Sequence, residues 1–319
     1  MLRDARDYQI LALGLFLVLG IALRDWSLRP EVVGVAITTC LLTQAVLTLA
    51  MHWQSVKRQA LGDRGENLTS PSPYPPIPPS PPLSSSLLSP LSSLLKTLNW
   101  RSPLITALGL SLLLRVDHLP TMALAASLAI ASKFFLKTHD KHFFNPANFG
   151  IIAVLLLTQD AWVSPGQWGE EVWYSLIFLG AGGVVLKRVG RWDTTVTFLA
   201  TYAAMEAARN LWLGWTWDVW AHRMMSGSLL MFALFMVTDP RSIPNARPAR
   251  LIWSSAIALL TFILRNYFYL STAVFWALFL LAPLTIVLDK LWVEQRFFWR
   301  KPVAVQPPLL AGSQTAAVN

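Results

Sequence analysis

Long apolar runs, interrupted by short polar marks, set the pattern of this chain. A helix that spans a bilayer needs roughly 20 mostly apolar residues, within a range of about 17–25. Stretches that meet or approach this length begin near Tyr8, Glu31, Ser102, Leu119, Ala147, Glu170, Thr194, His222, Arg250 and Ser271. The first, third and ninth are short and depend on their flanks to cross. The pattern predicts an all-α polytopic membrane protein with about ten transmembrane helices. Ten spans divide into five plus five, and an odd number per half makes an inverted repeat, as in many transporters. A weak echo agrees: the third span leaves through Asp117 and Pro120, the eighth through Asp239 and Pro240. Tyr8 to Leu23 could pass as the apolar core of a leader, but no small-residue cleavage site precedes Arg24, so it reads as the first span.

The polar marks organise the rest. His142 to Gly150 contains Asn145-Pro146, and Thr238 to Pro244 contains Asp239-Pro240. Both dipeptides initiate turns, and the residue before a proline is driven out of the helical region. On this reading residues 1–53 hold the first two helices, 101–292 form the transmembrane core, and 293–319 form a tail. Between them, 54–100 is a Pro/Ser-rich loop. Its Ser70 to Pro82 run favours extended polyproline conformation and reads as a spacer more than as an SH3-type ligand, and Ser84 to Leu98 has the make-up of a surface amphipathic segment.

Composition supports a membrane setting. The 319 residues are 54% hydrophobic and 13% charged, against about 25% charged in a soluble domain. Fifteen tryptophans suit the interface between headgroups and hydrocarbon. The net charge of +9 then reflects basic loops on one side, not nucleic-acid binding. With ten spans and the N-terminus inside, only Arg24, Arg29, Arg115, Arg209, Arg223 and Arg265 of the 26 lysines and arginines fall outside. That bias puts both termini and both polar marks on the cytoplasmic face. The single cysteine, Cys40, forms no internal disulfide and reads as a small buried hydrophobe.

An ionisable residue inside hydrocarbon is a candidate functional group. Glu206 is the clearest, with Arg209 three residues on along the same helix face: either a cation or proton site, or an internal ion pair. Asp239 closes the eighth span beside Arg241, Arg247 and Arg250, as a cap or as a site at a broken helix. His139 and His142 without further ligands read as a solvated loop. Gly180 to Gly183 and Ser226-Gly227-Ser228 permit close helix packing and leave room for a planar ligand. No phosphate-binding loop, nucleophile elbow or Cys/His zinc pattern is present.

Several motifs together resemble one family, the RnfD/NqrB family of membrane subunits from Rnf-type and Nqr-type ion-pumping electron-transport complexes. Phe144-Asn145-Pro146-Ala147 matches its F-N-P-A, and Val237-Thr238-Asp239-Pro240-Arg241-Ser242 matches its A-T-D-P-x-[ST]. Leu104 to Ala107 is similar to its start of span three, and Met225-Ser226-Gly227 before Phe232 to Met236 is similar to its approach to the second motif. The resemblance covers roughly Trp100 to Trp292. It implies a subunit of a membrane redox complex in a bacterial plasma (inner) membrane, with lipid and other subunits as partners. It also implies an FMN joined to a threonine of an S-G-A-T motif after span five. Gln159 to Gly169 has no threonine there, only Ser164, so covalent FMN is not expected; FMN or riboflavin held non-covalently, or loss of redox chemistry, are the alternatives. Candidate residues are Asn145, Glu206 and Asp239 for an ion path and Ser226, Gly227, Thr238 and Ser242 for cofactor contact. A stand-alone inverted-repeat transporter or channel stays open as the other reading, and an assembly role for the Pro-rich loop as a third.

Overall fold

A computed structural model describes residues 4–23, 28–66, 99–164 and 172–299. Its helices follow the apolar stretches: α1 (Ala5–Leu23), α2 (Pro30–Glu66), α3 (Arg101–Leu113), α4 (Leu119–Phe135), α5 (Pro146–Leu157), α6 (Val172–Val189) and α7 (Trp192–Trp212). Then come α8 (Trp217–Met224), α9 (Gly227–Met231) leading into a π-helical segment (Phe232–Met236), α10 (Arg247–Asn266), α11 (Ala273–Leu281) and α12 (Leu284–Leu291). Four short strands, β1 (Leu114–Val116), β2 (Lys137–Thr138), β3 (Lys141–His142) and β4 (Ala161–Val163), form two antiparallel pairs, β1 with β4 and β2 with β3. Among the described residues, Ala5–Ala22, Pro30–Arg58 and Arg247–Asn266 are long and apolar enough to cross a membrane. Two bent pairs raise the number to five: α8 with α9 and the π segment, bent by 50°, and α11 with α12, bent by 48°.

Helix lengths differ from the sequence expectation. The ninth stretch, expected to be short, forms the 20-residue α10, whereas α3 and α5 have only 13 and 12 residues. At 1.5 Å per residue α5 covers about 18 Å of a hydrocarbon core of about 30 Å. The reason lies in the segments just beyond the two helices. α3 continues as β1, and β4 comes back alongside it with Arg115 opposite Trp162. The ladder satisfies backbone groups that the ended helices leave free. Arg115, expected in an outer loop, is buried; its guanidinium donates to the carbonyls of Ser111, Leu112 and Leu114, the electronegative end of α3. α2 likewise runs past residue 53 to Glu66. Ser70 to Pro82, Ser84 to Leu98 and the tail from 300 lie outside the described residues.

The bundle is apolar outside and partly polar within. Leu11, Val18, Leu42, Val46, Leu156 and Leu280 are exposed, while Thr106, Ser111, Asn148, Thr194, Ser254 and Thr261 are buried. Lipid is the solvent that such a surface suits. Cys40 is fully buried, as expected of a small hydrophobe.

Two polar clamps fix α7 against α10. At their starts the buried Asp193 and Arg250 pair at 2.6 Å. Toward their ends Glu206 accepts from Asn266 Nδ2 at 2.8 Å. Contacts start to start and end to end make the helices parallel, so the intervening α8–π stretch runs back the other way, the alternation that successive spans require.

α4 and α5 touch through small residues. A Cβ on Gly150 would lie 2.5 Å from the Ala125 carbonyl oxygen and 2.9 Å from Ala129 Cβ. The Gly180 to Gly183 run contributes less packing: Gly182 alone meets a neighbour, the flexible end of Leu234. Gly150→Ala is therefore expected to force α4 and α5 apart at a cost of about 1–3 kcal/mol, read as a lower thermal midpoint of the detergent-solubilised protein. Gly183→Ala leaves the midpoint unchanged or slightly higher; equal losses in both would show that the α4–α5 contact is not special.

Candidate functional site

The two polar marks meet in space. After α4 the chain makes a hairpin, β2–β3, whose corner residues His139 and Asp140 both have positive φ, 48° and 64°. This mirror-image turn matches the twist of a two-stranded ribbon. The corner, His139 and Asp140, is exposed to solvent as expected, whereas the last residue of the segment turns inward. The hairpin buries His142 and points its Nε2 at Asp239 Oδ2, 3.5 Å away.

Asn145 comes after the hairpin in extended conformation and caps α5. Its side-chain oxygen accepts the Asn148 N–H at 3.1 Å, and Pro146 begins the helix, where no donor is needed. Its Nδ2 donates to the Met236 carbonyl at 3.2 Å. That carbonyl closes the π segment, where Val237 N–H bonds Phe232 five residues back. Thr238 Oγ1 donates to Leu234 O at 2.9 Å, and Asp239 accepts the Arg241 N–H at 3.2 Å. Burial by itself would push the Asp239 carboxyl up; the hydrogen bond and charge of His142, with Arg241, outweigh it and hold the carboxyl below its ordinary range. A depressed carboxyl favours the charged form, and the stability it lends is lost as pH falls through its folded-state value.

These turns border a cavity of about 350 Å³. Gln44 of α2, Thr106 of α3, Lys133 of α4 and Phe235 of the π segment face it together with Asn145, Thr238 and Asp239. Lys133 Nζ donates to Ser102 Oγ at 3.0 Å and, among the described residues, has no carboxylate within ion-pair distance. Lys141 ties the hairpin to α12 through Asp289 at 2.5 Å, and Asp289 also accepts the Asn245 N–H at 2.8 Å. Burial lowers the Lys141 ammonium pKa, against the pull of Asp289. Beyond α12, Arg296 donates to the His139 carbonyl and Trp299 borders the cavity beneath the Arg6 guanidinium.

Of the residues singled out in the sequence, Asn145, Thr238 and Asp239 come together here. Ser242 lies buried behind them, donating to Asp239 O at 3.3 Å while its own carbonyl accepts from Thr285. Ser226 and Gly227 do not join the cavity; they open α9 at the other end of that stretch. Glu206 is also remote from it. The neighbour expected for Glu206, Arg209, is not its partner: α8 folds back so that Arg223 reaches Glu206 at 2.9 Å, and Arg209 lies over the Trp215 ring at 4.7 Å. Sequence reading missed Lys133 and Gln44, and set His142 aside as a loop residue. For the first two a signal existed, a polar residue within an apolar stretch, but Lys133 was assigned to a loop. After α5, Ser164 N–H donates to Leu113 O at 2.9 Å, extending the β1–β4 ladder; residues 165–169 lie outside the described residues. Among the described residues no three His, Cys, Asp or Glu side chains converge to hold a metal ion.

Comparison with known proteins fits this geometry. The model of the NQR2, RnfD, RnfE family matches residues 121–298. RnfD of Stutzerimonas stutzeri, a subunit of its ion-translocating oxidoreductase complex, is 30% identical over 144 residues, 45% of this chain and 40% of the relative. The corresponding protein of Halorhodospira halophila is 27% identical over 139 residues, 43% and 38%, and that of Marinobacter nauticus 34% over 100 residues, 30% and 27%. The chain thus spans two-fifths or less of these relatives' length.

Asn145→Ala removes the cap of α5 and the link to Met236 together. The expected cost is about 1.5–2.5 kcal/mol, a capping contribution of about 1 kcal/mol plus one buried hydrogen bond, the Met236 carbonyl keeping only the Asp239 N–H at 3.3 Å. Asn145→Asp keeps the cap but loses the donor, and is expected to lose about half as much. Thermal midpoints of the two variants in detergent check the order; an alanine variant as stable as the parent would refute the bridge.

Proposed function

The chain belongs to the NQR2, RnfD, RnfE family, and on that premise we propose that it is an integral membrane subunit of an Rnf/Nqr-like ion-translocating electron-transport complex, holding or flanking a flavin and contributing to the ion path. In this reading it sits in a bacterial plasma membrane with about ten spans in an inverted five-plus-five arrangement and both termini cytoplasmic, bound to the other subunits of the complex. The observation that supports it most is the convergence of Asn145, Thr238 and Asp239, from two motifs far apart in sequence, on one cavity.

The cavity suits a planar heteroaromatic group. Its volume of about 350 Å³ falls within the roughly 300–1,000 Å³ of small-molecule sites. Leu13, Ile105, Phe134 and Phe235 provide apolar walls, and Gln44, Thr106, Lys133 and Asn145 provide polar contacts. FMN or riboflavin is the group proposed, held without a covalent bond, and when bound it would supply one- and two-electron transfer. Lys133 would hold the group through its ammonium, Phe134 and Phe235 would exclude water from the site, and Asn145 fixes the wall by joining α5 to the π segment. Asp239 and His142 form the titratable pair at the polar edge, the place to hold a proton or an inorganic cation. Glu206 is tied by Arg223 and Asn266, so the ion-path role passes from Glu206 to Asp239.

Asp239→Asn keeps the shape of the turn and removes the charge. Redox-driven ion uptake by the reconstituted complex is expected to fall at least tenfold, with membrane insertion and expression within twofold of the parent. Equal losses in transport and insertion would make Asp239 structural. A flavin absorption band in the purified complex supports the cofactor reading. A colourless, intact complex, or solute flux by the isolated protein in liposomes without a redox partner, would favour the stand-alone transporter.

A further inference from the structure

At the opposite end of α7 and α10 from the cavity lies a second polar cluster that the redox reading does not use. It holds three arginines and one carboxylate. Glu206 is fully engaged: one oxygen accepts from Arg223 Nη1 at 2.9 Å and the other from Asn266 Nδ2 at 2.8 Å, while Asn266 Oδ1 accepts from the same Arg223 nitrogen at 2.9 Å. This closed triangle commits the single negative charge of Glu206 to Arg223 and leaves no second charge for Arg209 or Arg265. Arg209 and Arg223 both lie over the ring of Trp215, at 4.7 and 5.4 Å. Arg209 Nη1 is nevertheless buried with no hydrogen-bond partner among the described residues. Arg265, in the last turn of α10, makes no hydrogen bond or ion pair among them either, and is partly buried.

Two partly buried guanidinium groups without a counter-charge are costly beside a low-dielectric medium unless an anion joins them. A recess of about 250 Å³ opens beside Arg265, lined by Arg223, Arg265, Tyr269, Leu270 and Ser271. Tyr269 holds a positive φ of 55°, a conformation uncommon for a bulky residue, and it forms part of the recess wall. Exposed rings surround the cluster: Trp212, Trp215, Trp217, Tyr267, Phe268 and Tyr269. Such a belt marks the level of lipid headgroups. Guanidinium groups bind phosphate oxygens through paired N–H donors.

We propose that this recess binds a phosphate group, with Arg265 as its ligand, the Arg223–Glu206–Asn266 triangle as the rigid wall that positions it, and Arg209 behind that wall as a further positive charge. The two sources of that group are the headgroup of an anionic phospholipid at the membrane surface and a free phosphate from solution. The aromatic belt favours the lipid. The site is independent of the flavin, and its test does not require turnover.

The full-length chain, purified in a neutral detergent, is titrated with phosphatidylglycerol, with phosphatidylcholine and with inorganic phosphate. Thermal midpoint shifts are read alongside lipid retention in native mass spectrometry. Arg265→Gln, Arg209→Gln and Arg265→Lys are compared with the parent. The expected result is that phosphatidylglycerol raises the midpoint and remains bound, at least tenfold more tightly than phosphatidylcholine. Arg265→Gln weakens it about tenfold, as loss of a charge-assisted hydrogen bond implies, Arg209→Gln weakens it less, and Arg265→Lys recovers part of the loss. A shift by inorganic phosphate that equals the lipid's and is lost in Arg265→Gln supports the site with a soluble source. No shift from either probe, or binding unchanged in Arg265→Gln, overturns the proposal. Because Arg265→Lys retains the charge and Arg223 is untouched, a folding defect common to all variants is separated from loss of the ligand.

Discussion

A helix broken within a membrane protein must find partners for the backbone groups that the break exposes, because the surrounding hydrocarbon offers none. Here one side chain serves two breaks at once. Asn145 accepts from the first turn of α5 and donates to the carbonyl at the end of the π segment. The hairpin before Asn145 and the turn after Met236 are thereby held at a fixed distance, and His142 can face Asp239. Remove that bridge and the cavity loses the wall that both motifs build. Asn145 and Asp239 each sit immediately before a proline, and the same constraint explains why. The proline ends or starts a helix where a donor is missing, and the preceding polar side chain meets the neighbouring backbone.

The two ends of the bundle are built differently. Around the cavity the polar groups come from several helices and two loops, and one ammonium, that of Lys133, has only a hydroxyl for company among the described residues. At the other end α7, α8 and α10 tie one carboxylate into a closed set of bonds and leave guanidinium groups over. The parallel pair α7–α10 joins these ends, with a salt bridge at one and a carboxylate–amide contact at the other.

Much of this arrangement could be read from the chain. Apolar stretches locate the helices, because burying or lipid-solvating about 20 apolar residues leaves few alternatives. The Asn-Pro and Asp-Pro marks located two walls of the cavity, since proline chemistry is local and visible in sequence. What escaped was set by tertiary contact. Helix spacing offered Arg209 to Glu206, but the fold of α8 delivered Arg223 instead. The length of α3 depended on pairing with a strand far along the chain, Leu114 opposite Val163, which no local propensity announces. Lys133 and His142 looked like loop residues, yet one lies in α4 facing the cavity and the hairpin turns the other inward. The family resemblance had weight because its motifs converge in space.

The π segment carries a consequence for how this protein can change over time. From Gly227 to Met231 the chain advances in α-helical phase, and from Phe232 to Met236 it takes a wider turn that holds one surplus residue. A residue in an α-helix corresponds to a rotation of about 100°. Losing a residue while the wide turn stays in place would leave the membrane stretch long and apolar, yet swing Thr238 and Asp239 about 100° away from Asn145. Hydrophobicity alone would not register the difference. Selection on this stretch therefore acts on its residue count as well as on its composition, and insertions or deletions of a single position are the events to which the motif is most vulnerable.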